Sequence, residues 1–506
     1  MSAKTFSAAL IGLDAELIEV EADVGGRDMG TVAIVGLPDA SVSESRERVR
    51  SAIKNSNINF PRYKVTVNLA PADIKKHGPS YDLPIAISIL IAFDKLKSRV
   101  DISRALFVGE LALNGDLRPV NGILSIATMA EEKGFTNIYI PRENAQEAKL
   151  IKGLNVFPVD NLFELFNHLS GRSLIKAQEG SDIQLINKEI DFDMANVQGQ
   201  DHAKRALEIA AAGGHNVLMT GPPGSGKTLL ARTLPSILPD FNIMEALEVT
   251  KIYSVSGKLK DKTAVLKTRP FRSPHHSASA AALIGGGAMP RPGEISLAHR
   301  GVLFLDEFGE FPRSVLEHLR QPLEDGFVNV SRVAGNLSFP AKFILVAATN
   351  PCPCGYYGDP EKECKCSPIQ VINYKKKISG PILDRIDLHV EVPRLAFEKI
   401  NSQEKAESSV AIKERVMETK FVQLRRFKDR KIVNNAEMSS EDVKKYCETD
   451  KESQDLLKNA VKTMHLSPRA YFRILKVART IADIEKSEKV TIVHISEALQ
   501  YRLQDD

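Results

Sequence analysis

Residues 221–228 read Gly221-Pro222-Pro223-Gly224-Ser225-Gly226-Lys227-Thr228 and fill the pattern G-x-x-x-x-G-K-[ST] at every fixed position. These residue types at this spacing suit a polyphosphate. The glycines let successive backbone N–H groups curl around phosphate oxygens, and a helix starting there adds positive potential. Lys227 is placed to reach β- and γ-phosphates, and the Thr228 hydroxyl to hold Mg²⁺. The motif needs a buried strand before it and a helix after it. Val217-Leu218-Met219 supplies the apolar strand and Leu229-Leu230-Ala231-Arg232 opens the helix. The stretch therefore predicts an ATP site.

What the ATP is for depends on the partners of this loop. Gly301-Val302-Leu303-Phe304-Leu305-Asp306-Glu307 is an apolar strand ending in two acids. Asp306 is expected to organise Mg²⁺ through water, and Glu307 to polarise the attacking water as base. A further apolar strand, residues 343–348, ends in Thr349-Asn350, where the Asn350 amide can place that water and sense the γ-phosphate. Arg385, in Leu383-Asp384-Arg385-Ile386-Asp387, is the candidate to reach a neighbouring subunit's ATP, because a guanidinium has fixed charge and a fork that matches phosphate oxygens. Arg313 and Arg320 stay open as alternatives for that finger. Ser467-Pro468-Arg469 begins a helix predicted over 470–484, with Arg469 as a second γ-phosphate sensor.

A second constellation is made of thiols. Four of the five cysteines fall in Cys352-Pro353-Cys354 and Cys364-Lys365-Cys366, a C-x-C pair repeated after nine residues. Four thiolates so spaced can close around one tetrahedral Zn²⁺. The loop also carries Tyr356-Tyr357-Gly358 and is followed by Lys375-Lys376-Lys377, a composition that suits contact with DNA. His275 and His276 have no matching metal partners nearby in sequence.

The elements that must position these groups can be read coarsely. The chain has 506 residues, 43% hydrophobic and 26% charged, with net charge +4. This is ordinary globular usage with room for several cores. The mild charge permits local basic patches without announcing nucleic acid. No apolar run is long enough to span a bilayer, and no basic stretch leads an apolar one at the start, so a cytoplasmic protein is expected. Residues 1–175 alternate strand-like runs (32–35 and 63–67) with helical ones (43–53 and 82–93). A polar linker covers 176–191. Residues 192–395 alternate strand and helix, the sign of a parallel sheet. Residues 396–506 read as almost all helical.

The order of these motifs resembles the AAA+ ATPases. Lys227 and Asp306 are 79 residues apart, more than one helix and one strand require. The surplus holds Pro270-Phe271-Arg272-Ser273-Pro274-His275-His276 and Gly285-Gly286-Gly287. Residues 327–340 read as a β-hairpin with Gly335-Asn336 near its turn. A helix-2 insert together with a hairpin before the first sensor is similar to the clade of magnesium chelatase ATPase subunits and minichromosome maintenance helicases. In the helicases a basic hairpin residue tracks DNA, and Arg332 is the matching position here. Val35-Gly36-Leu37-Pro38-Asp39, Val67-Asn68-Leu69-Ala70-Pro71-Ala72-Asp73 and Val108-Gly109-Glu110-Leu111 resemble the front domain of the YifB/ComM family. The resemblance runs through Gly199-Gln200 and the segment 203–215, where AAA+ proteins grip adenine, and covers nearly the whole chain.

It implies an α/β protein of three parts: a ribosomal S5 domain 2-like, Lon-protease-like but degenerate front domain, an AAA+ core, and a C-terminal helical lid. It also implies a homo-hexameric, ATP-driven helicase acting in branch migration on DNA. The alternative is a chelatase-like motor that remodels a partner protein. Ser80 stands where Lon-type enzymes carry their serine, but their lysine position is Leu124, which cannot accept a proton. Ser80 is therefore expected to be inert and to cap the helix that follows.

Overall fold

The first two strands are β1 (Ser2–Ile11) and β2 (Asp14–Val24), with buried and half-buried residues alternating over 18–22. They pair antiparallel from Ile11↔Asp14 outward, around a two-residue turn whose Gly12 has φ 65°. The other strands of this sheet are β3 (Val32–Val35), β4 (Val65–Ala70), β5 (Ala105–Phe107), β8 (Asn137–Pro141) and β9 (Asn155–Val159). Between them β6 (Glu110–Leu111) and β7 (Leu117–Arg118) form a small ribbon. The sheet order is β3-β4-β2-β1-β5-β8-β9. Only β1/β2 and β2/β4 are antiparallel. Period-two alternation sends Ile18, Val20, Val65 and Val67 to one face, against helices Ala40–Asn55 and Asp82–Ala92. It sends Leu106, Ile138 and Ile140 to the other, against helix Ile123–Glu132.

The structure, a computed structural model, describes residues 2–25, 31–180, 192–259, 265–287, 290–332, 335–378, 380–394, 406–430 and 432–502, without the side chains of 331–336. They form two compact units, Met1–Leu185 with Ile243–Leu266, and Ile186–Asn242 with Lys267–Asp506. Residues 243–266 fall inside the stretch expected to be the ATPase core, yet they pack in the front unit. Helix Ile243–Ser256 lies on helix Ile123–Glu132, where Ser254 O accepts from Gly122 N at 3.2 Å. The Ser254 hydroxyl donates to the buried Glu147, which also accepts from Leu124 N at 3.0 Å. Lys251 meets Asp14 at 2.8 Å.

Two local expectations differ from the structure. Ser80 does not cap the helix at 82. A 3₁₀ turn, Pro79–Tyr81, intervenes, and the residue at the cap is Tyr81, with no side-chain bond to the helix. The strand expected from Tyr63 starts at Val65. The expected hairpin forms from β15 and β16, antiparallel, with Gly335 and Asn336 at the start of its second strand opposite Arg332 and Ser331.

The second unit holds β10 (Val217–Thr220), β11 (Phe271–Arg272), β14 (Val302–Leu305), β17 (Ile344–Thr349) and β18 (Leu388–Glu391), all parallel, in the order β11-β14-β17-β10-β18. Beside the sheet stand two ribbons, β12 (Gly285–Gly286) with β13 (Arg291–Pro292), and β15 (Phe327–Arg332) with β16 (Gly335–Pro340). The strands are apolar on both faces, as a doubly covered parallel sheet requires. One core joins them to helices Asp201–Gly213, Lys227–Ile237, Ser409–Arg426 and Pro468–Ile484. No helix among the described residues is long and apolar enough to cross a membrane.

A buried polar network fastens the C-terminal helices to this sheet. Asp387 accepts from Asn216 N at 3.0 Å and pairs with Arg473, which also donates to Arg385 O at 2.9 Å. His215 meets Thr480 at 2.8 Å. Burial works against the Asp387 charge, but Arg473 and His215 outweigh it and hold the carboxyl far below the usual range. Truncating one member of such a pair strands the other charge. Asp387→Ala should therefore cost about 3 kcal/mol or more of unfolding free energy, read by urea denaturation. A loss within the scatter of surface substitutions would contradict this.

Candidate nucleotide site and thiol cluster

The glycine loop follows β10, which lies between β17 and β18, so the loop opens at the carboxyl ends of the strands where the chain order reverses. Its backbone requires glycine. A Cβ on Gly221 would stand 2.2 Å from Val392 O, and Gly224 and Gly226 have φ 79° and 90°. Gly221 N donates to Thr349 O at 3.2 Å, which ties the loop to the end of β17. Gln200 Nε2 bridges Ser225 O at 3.3 Å and Pro393 O at 2.7 Å.

Lys227 begins helix Lys227–Ile237 and is buried. Its ammonium donates to Gly221 O at 2.6 Å and Pro222 O at 2.8 Å, and stands 3.5 Å from Asn350 Oδ1. Burial lowers its pKa against the opposing pull of Asp306. The Thr228 hydroxyl donates to Asp306 Oδ2 at 2.8 Å. Thus Lys227, Thr228, Asp306 and Asn350, from the ends of three adjacent strands, form one connected group. These residues fit Mg·ATP: a cradle only glycine can line, a cation held by carbonyls that phosphate oxygens can replace, and a hydroxyl–carboxylate pair suited to Mg²⁺.

Glu307 has φ 50°, with its N–H on Asp306 Oδ1 at 2.9 Å. Its carboxylate meets His276 Nδ1 at 3.0 Å. In the sequence this histidine stands out only as a metal ligand without partners. The signal it offered was a His-His pair closely following a strand of the sheet.

Arg385 and Arg469 come together. Both pair with Glu324, Arg385 Nη2 on one carboxylate oxygen and Arg469 Nη2 at 3.0 Å on the other. Arg385 is buried and also donates to Pro381 O at 2.7 Å, whereas Arg469 is 59% exposed. The Arg385 hydrogen bond leads the causes that hold Glu324 below the usual carboxylate range. Arg313 and Arg320 both pair with Glu317 instead. Arg332 ends β15, and its side chain lies outside the described residues.

The four cysteines converge. Cys352 Sγ lies 3.4 Å from Cys354 and 3.7 Å from Cys364, Cys354 and Cys364 are 3.6 Å apart, and all four sulfurs fall within 4.8 Å of one another. Tetrahedral zinc thiolates with bonds of about 2.3 Å would set the sulfurs about 3.8 Å apart, so the cluster fits that ion. The backbone N–H of Tyr356 leads the bonds that draw the Cys354 thiol down to about 6. The cluster abuts the glycine loop: a Cβ on Gly355, whose φ is 85°, would stand 2.5 Å from Pro223 Cδ.

Fold and site together define a P-loop protein of the AAA+ type. Family models described as magnesium chelatase subunit ChlI match residues 193–400, subunit ChlI of Mg-chelatase residues 19–144, and the subunit ChlI C-terminal region residues 406–502. The chain is 42% identical to competence protein ComM of Haemophilus influenzae and 43% identical to YifB of Escherichia coli, each over 98% of this chain and 96% of the relative. It is 28% identical to the magnesium-chelatase 38 kDa subunit of Rhodobacter capsulatus, over 32% of this chain and 50% of that protein. The chain belongs to the YifB/ComM family of magnesium-chelatase-like AAA+ proteins.

Gly355→Ala should weaken nucleotide binding about tenfold, since strain of 1–3 kcal/mol at this position has the glycine loop as its neighbour. Titration with a fluorescent ATP analogue reads the effect, and parental affinity would show that the two loops are independent.

Proposed function

We propose that this chain is a Mg²⁺-dependent ATPase that assembles as a ring, as a hexamer by family likeness, and drives the movement of DNA strands in recombination or DNA uptake. The observation that carries the ATPase reading is the connected group of Lys227, Thr228, Asp306 and Asn350 at the carboxyl ends of β10, β14 and β17.

Each residue then has a task. The loop 221–226 presents backbone N–H groups to the phosphates, and Lys227 exchanges its two carbonyl partners for phosphate oxygens. Thr228 and Asp306 would hold Mg²⁺, which when bound offsets the phosphate charge. Glu307 takes the proton of the attacking water, and Asn350 orients that water. Arg385 and Arg469, sharing Glu324, act on one nucleotide together, presented from the adjoining subunit. The front domain, of the S5 domain 2-like fold, has no protease role in this reading: Leu124 is buried, and its backbone N–H is bound to Glu147.

DNA as the object of the motor is favoured by the hairpin β15/β16 that ends in Arg332, by the likeness to the YifB/ComM family, and by the word competence in the name of the Haemophilus relative. The thiol cluster is read as a structural Zn²⁺ site that fixes the loop between Asn350 and the basic helix Pro368–Lys377. The ring works in the cytoplasm.

The test is the ATPase rate without nucleic acid, with single-stranded DNA and with a four-way junction, using Lys227→Ala as the blank. Stimulation strongest on the junction is expected, and Arg332→Ala should reduce it. A robust rate indifferent to every DNA would replace the DNA reading with a protein-remodelling one. Glu307→Gln should lower the rate about 100-fold or more. For the thiols, metal analysis should find about one zinc per chain, lost in a Cys354→Ser/Cys364→Ser variant; freshly purified protein without zinc would overturn the assignment.

A further inference from the structure

The four clustered sulfurs differ in exposure. Cys352 is buried, whereas Cys354, Cys364 and Cys366 are half-buried and within reach of a small oxidant. Cys352 and Cys354, 3.4 Å apart, belong to one C-x-C arm and span only Pro353, whose ring fixes the backbone between them. Cys354 and Cys364, 3.6 Å apart, join the two arms across a nine-residue loop. They are the closest pair in which both thiols are partly exposed and the backbone between them is long enough to adjust. Cys447 differs from all four. It sits in the apolar core of the second unit, and burial pushes its thiol up to about 12. A thiol so held stays protonated and inert.

The turn that carries Cys354 touches the nucleotide loop at two points. Asn350, whose Oδ1 stands 3.5 Å from the Lys227 ammonium, precedes Cys352 by two residues. Gly355 follows Cys354 and donates its N–H to Cys352 O at 3.0 Å, closing the turn that packs on Pro223. A Cβ on Gly355 would stand only 2.5 Å from Pro223 Cδ, so the turn has little room to move against the loop. The second arm is anchored at its far end. Cys366 is followed at once by Ser367, whose capping box fixes the start of helix Pro368–Lys377. Drawing Cys354 and Cys364 together therefore strains the first arm, and with it Gly355 and Asn350.

We propose that Cys354 and Cys364 form a peroxide-reactive dithiol whose oxidation expels the zinc and weakens nucleotide binding. It rests on the readings of 221–228 as the nucleotide site and of the cluster as a zinc site. The Cys354 thiolate attacks one oxygen of a hydroperoxide. The O–O bond breaks, leaving a sulfenic acid on Cys354 and a hydroxide that takes a proton from solvent. The Cys364 thiolate then attacks the sulfenic sulfur. The S–S bond forms, and the sulfenic oxygen leaves as hydroxide, protonated in the same way. Two electrons pass from the sulfurs to hydrogen peroxide, which ends as two waters. Zn²⁺ is left with two of its four thiolates and dissociates. A thiol reductant reverses the step by exchange, and the site reforms with fresh Zn²⁺. The motor thus binds ATP weakly while peroxide persists and recovers when the thiols are reduced.

The experiment treats the full-length protein, purified under reducing conditions, with hydrogen peroxide and then catalase. Peptide mass spectrometry should find a Cys354–Cys364 disulfide and an unmodified Cys447, and a chromogenic chelator should detect released zinc. Affinity for a fluorescent ATP analogue should fall about tenfold, the worth of backbone strain set against the glycine loop. It should return with dithiothreitol and Zn²⁺. Cys364→Ser should form no such bond, and its affinity should be indifferent to peroxide. The disulfide, the zinc and the affinity are all read on the parent as well, so the outcome does not hang on that variant folding. Absence of the disulfide, or its formation with affinity unchanged, overturns the switch. Freshly purified protein without zinc overturns the zinc reading instead, and reduced protein that does not bind the analogue overturns the nucleotide reading, so the three failures are distinguishable.

Discussion

The 2.8 Å hydrogen bond between Thr228 and Asp306 is the contact on which the proposed nucleotide site depends. It joins the first turn of one helix to the end of a strand two places away in the sheet, and it can form only if β10, β17 and β14 run parallel in register. Val217↔Val346 and Phe304↔Val346 set that register. Parallel pairing puts all three carboxyl ends on one edge, where each strand delivers one polar group: the glycine loop, Asn350 and Asp306. A slip of one residue would turn every side chain of a strand to the opposite face and break the group. The apolar strand residues thus specify the chemistry as firmly as the polar ones do.

A second constraint links this edge to the C-terminal helices. Asp387 is buried, and a buried carboxylate is tolerable only with full compensation. Its partners come from the sheet and from helix Pro468–Ile484, so the helix that carries Arg469 is held to the strand that follows Arg385. Glu324 then gathers both arginines at one carboxylate.

Much of the site was legible in the sequence because short-range patterns encode it. The glycine loop, the apolar strand ending in Asp306-Glu307 and the strand ending in Asn350 each combine a period with a terminal polar residue. The C-x-C pairs were legible as a cluster because two ligands at i and i+2 in a loop need little help to converge. Long-range contacts were not legible. Nothing in residues 243–266 announced that helix Ile243–Ser256 packs in the front unit, since a helical sequence does not name its packing partner. Nor did the spacing show that Arg385 and Arg469, 84 positions apart, share Glu324. Ser80 as a cap failed because Pro79 starts a 3₁₀ turn that takes in Ser80 and runs into the helix at Asp82, leaving Tyr81 at its cap. His276 was visible as a residue, but its bond to Glu307 depends on the neighbouring of β11 and β14, which only the folded sheet supplies.

The most direct measurement is a cryo-electron microscopy structure of the assembled protein with a non-hydrolysable ATP analogue and Mg²⁺. The account predicts a nucleotide in each occupied subunit interface, with the Lys227 ammonium moved from Gly221 O and Pro222 O to phosphate oxygens. It also predicts Thr228 and Asp306 around Mg²⁺, and Arg385 and Arg469 arriving from the next subunit. A nucleotide bound away from residues 221–228, or Lys227 still on its carbonyls with phosphate beside it, would contradict the account at its centre.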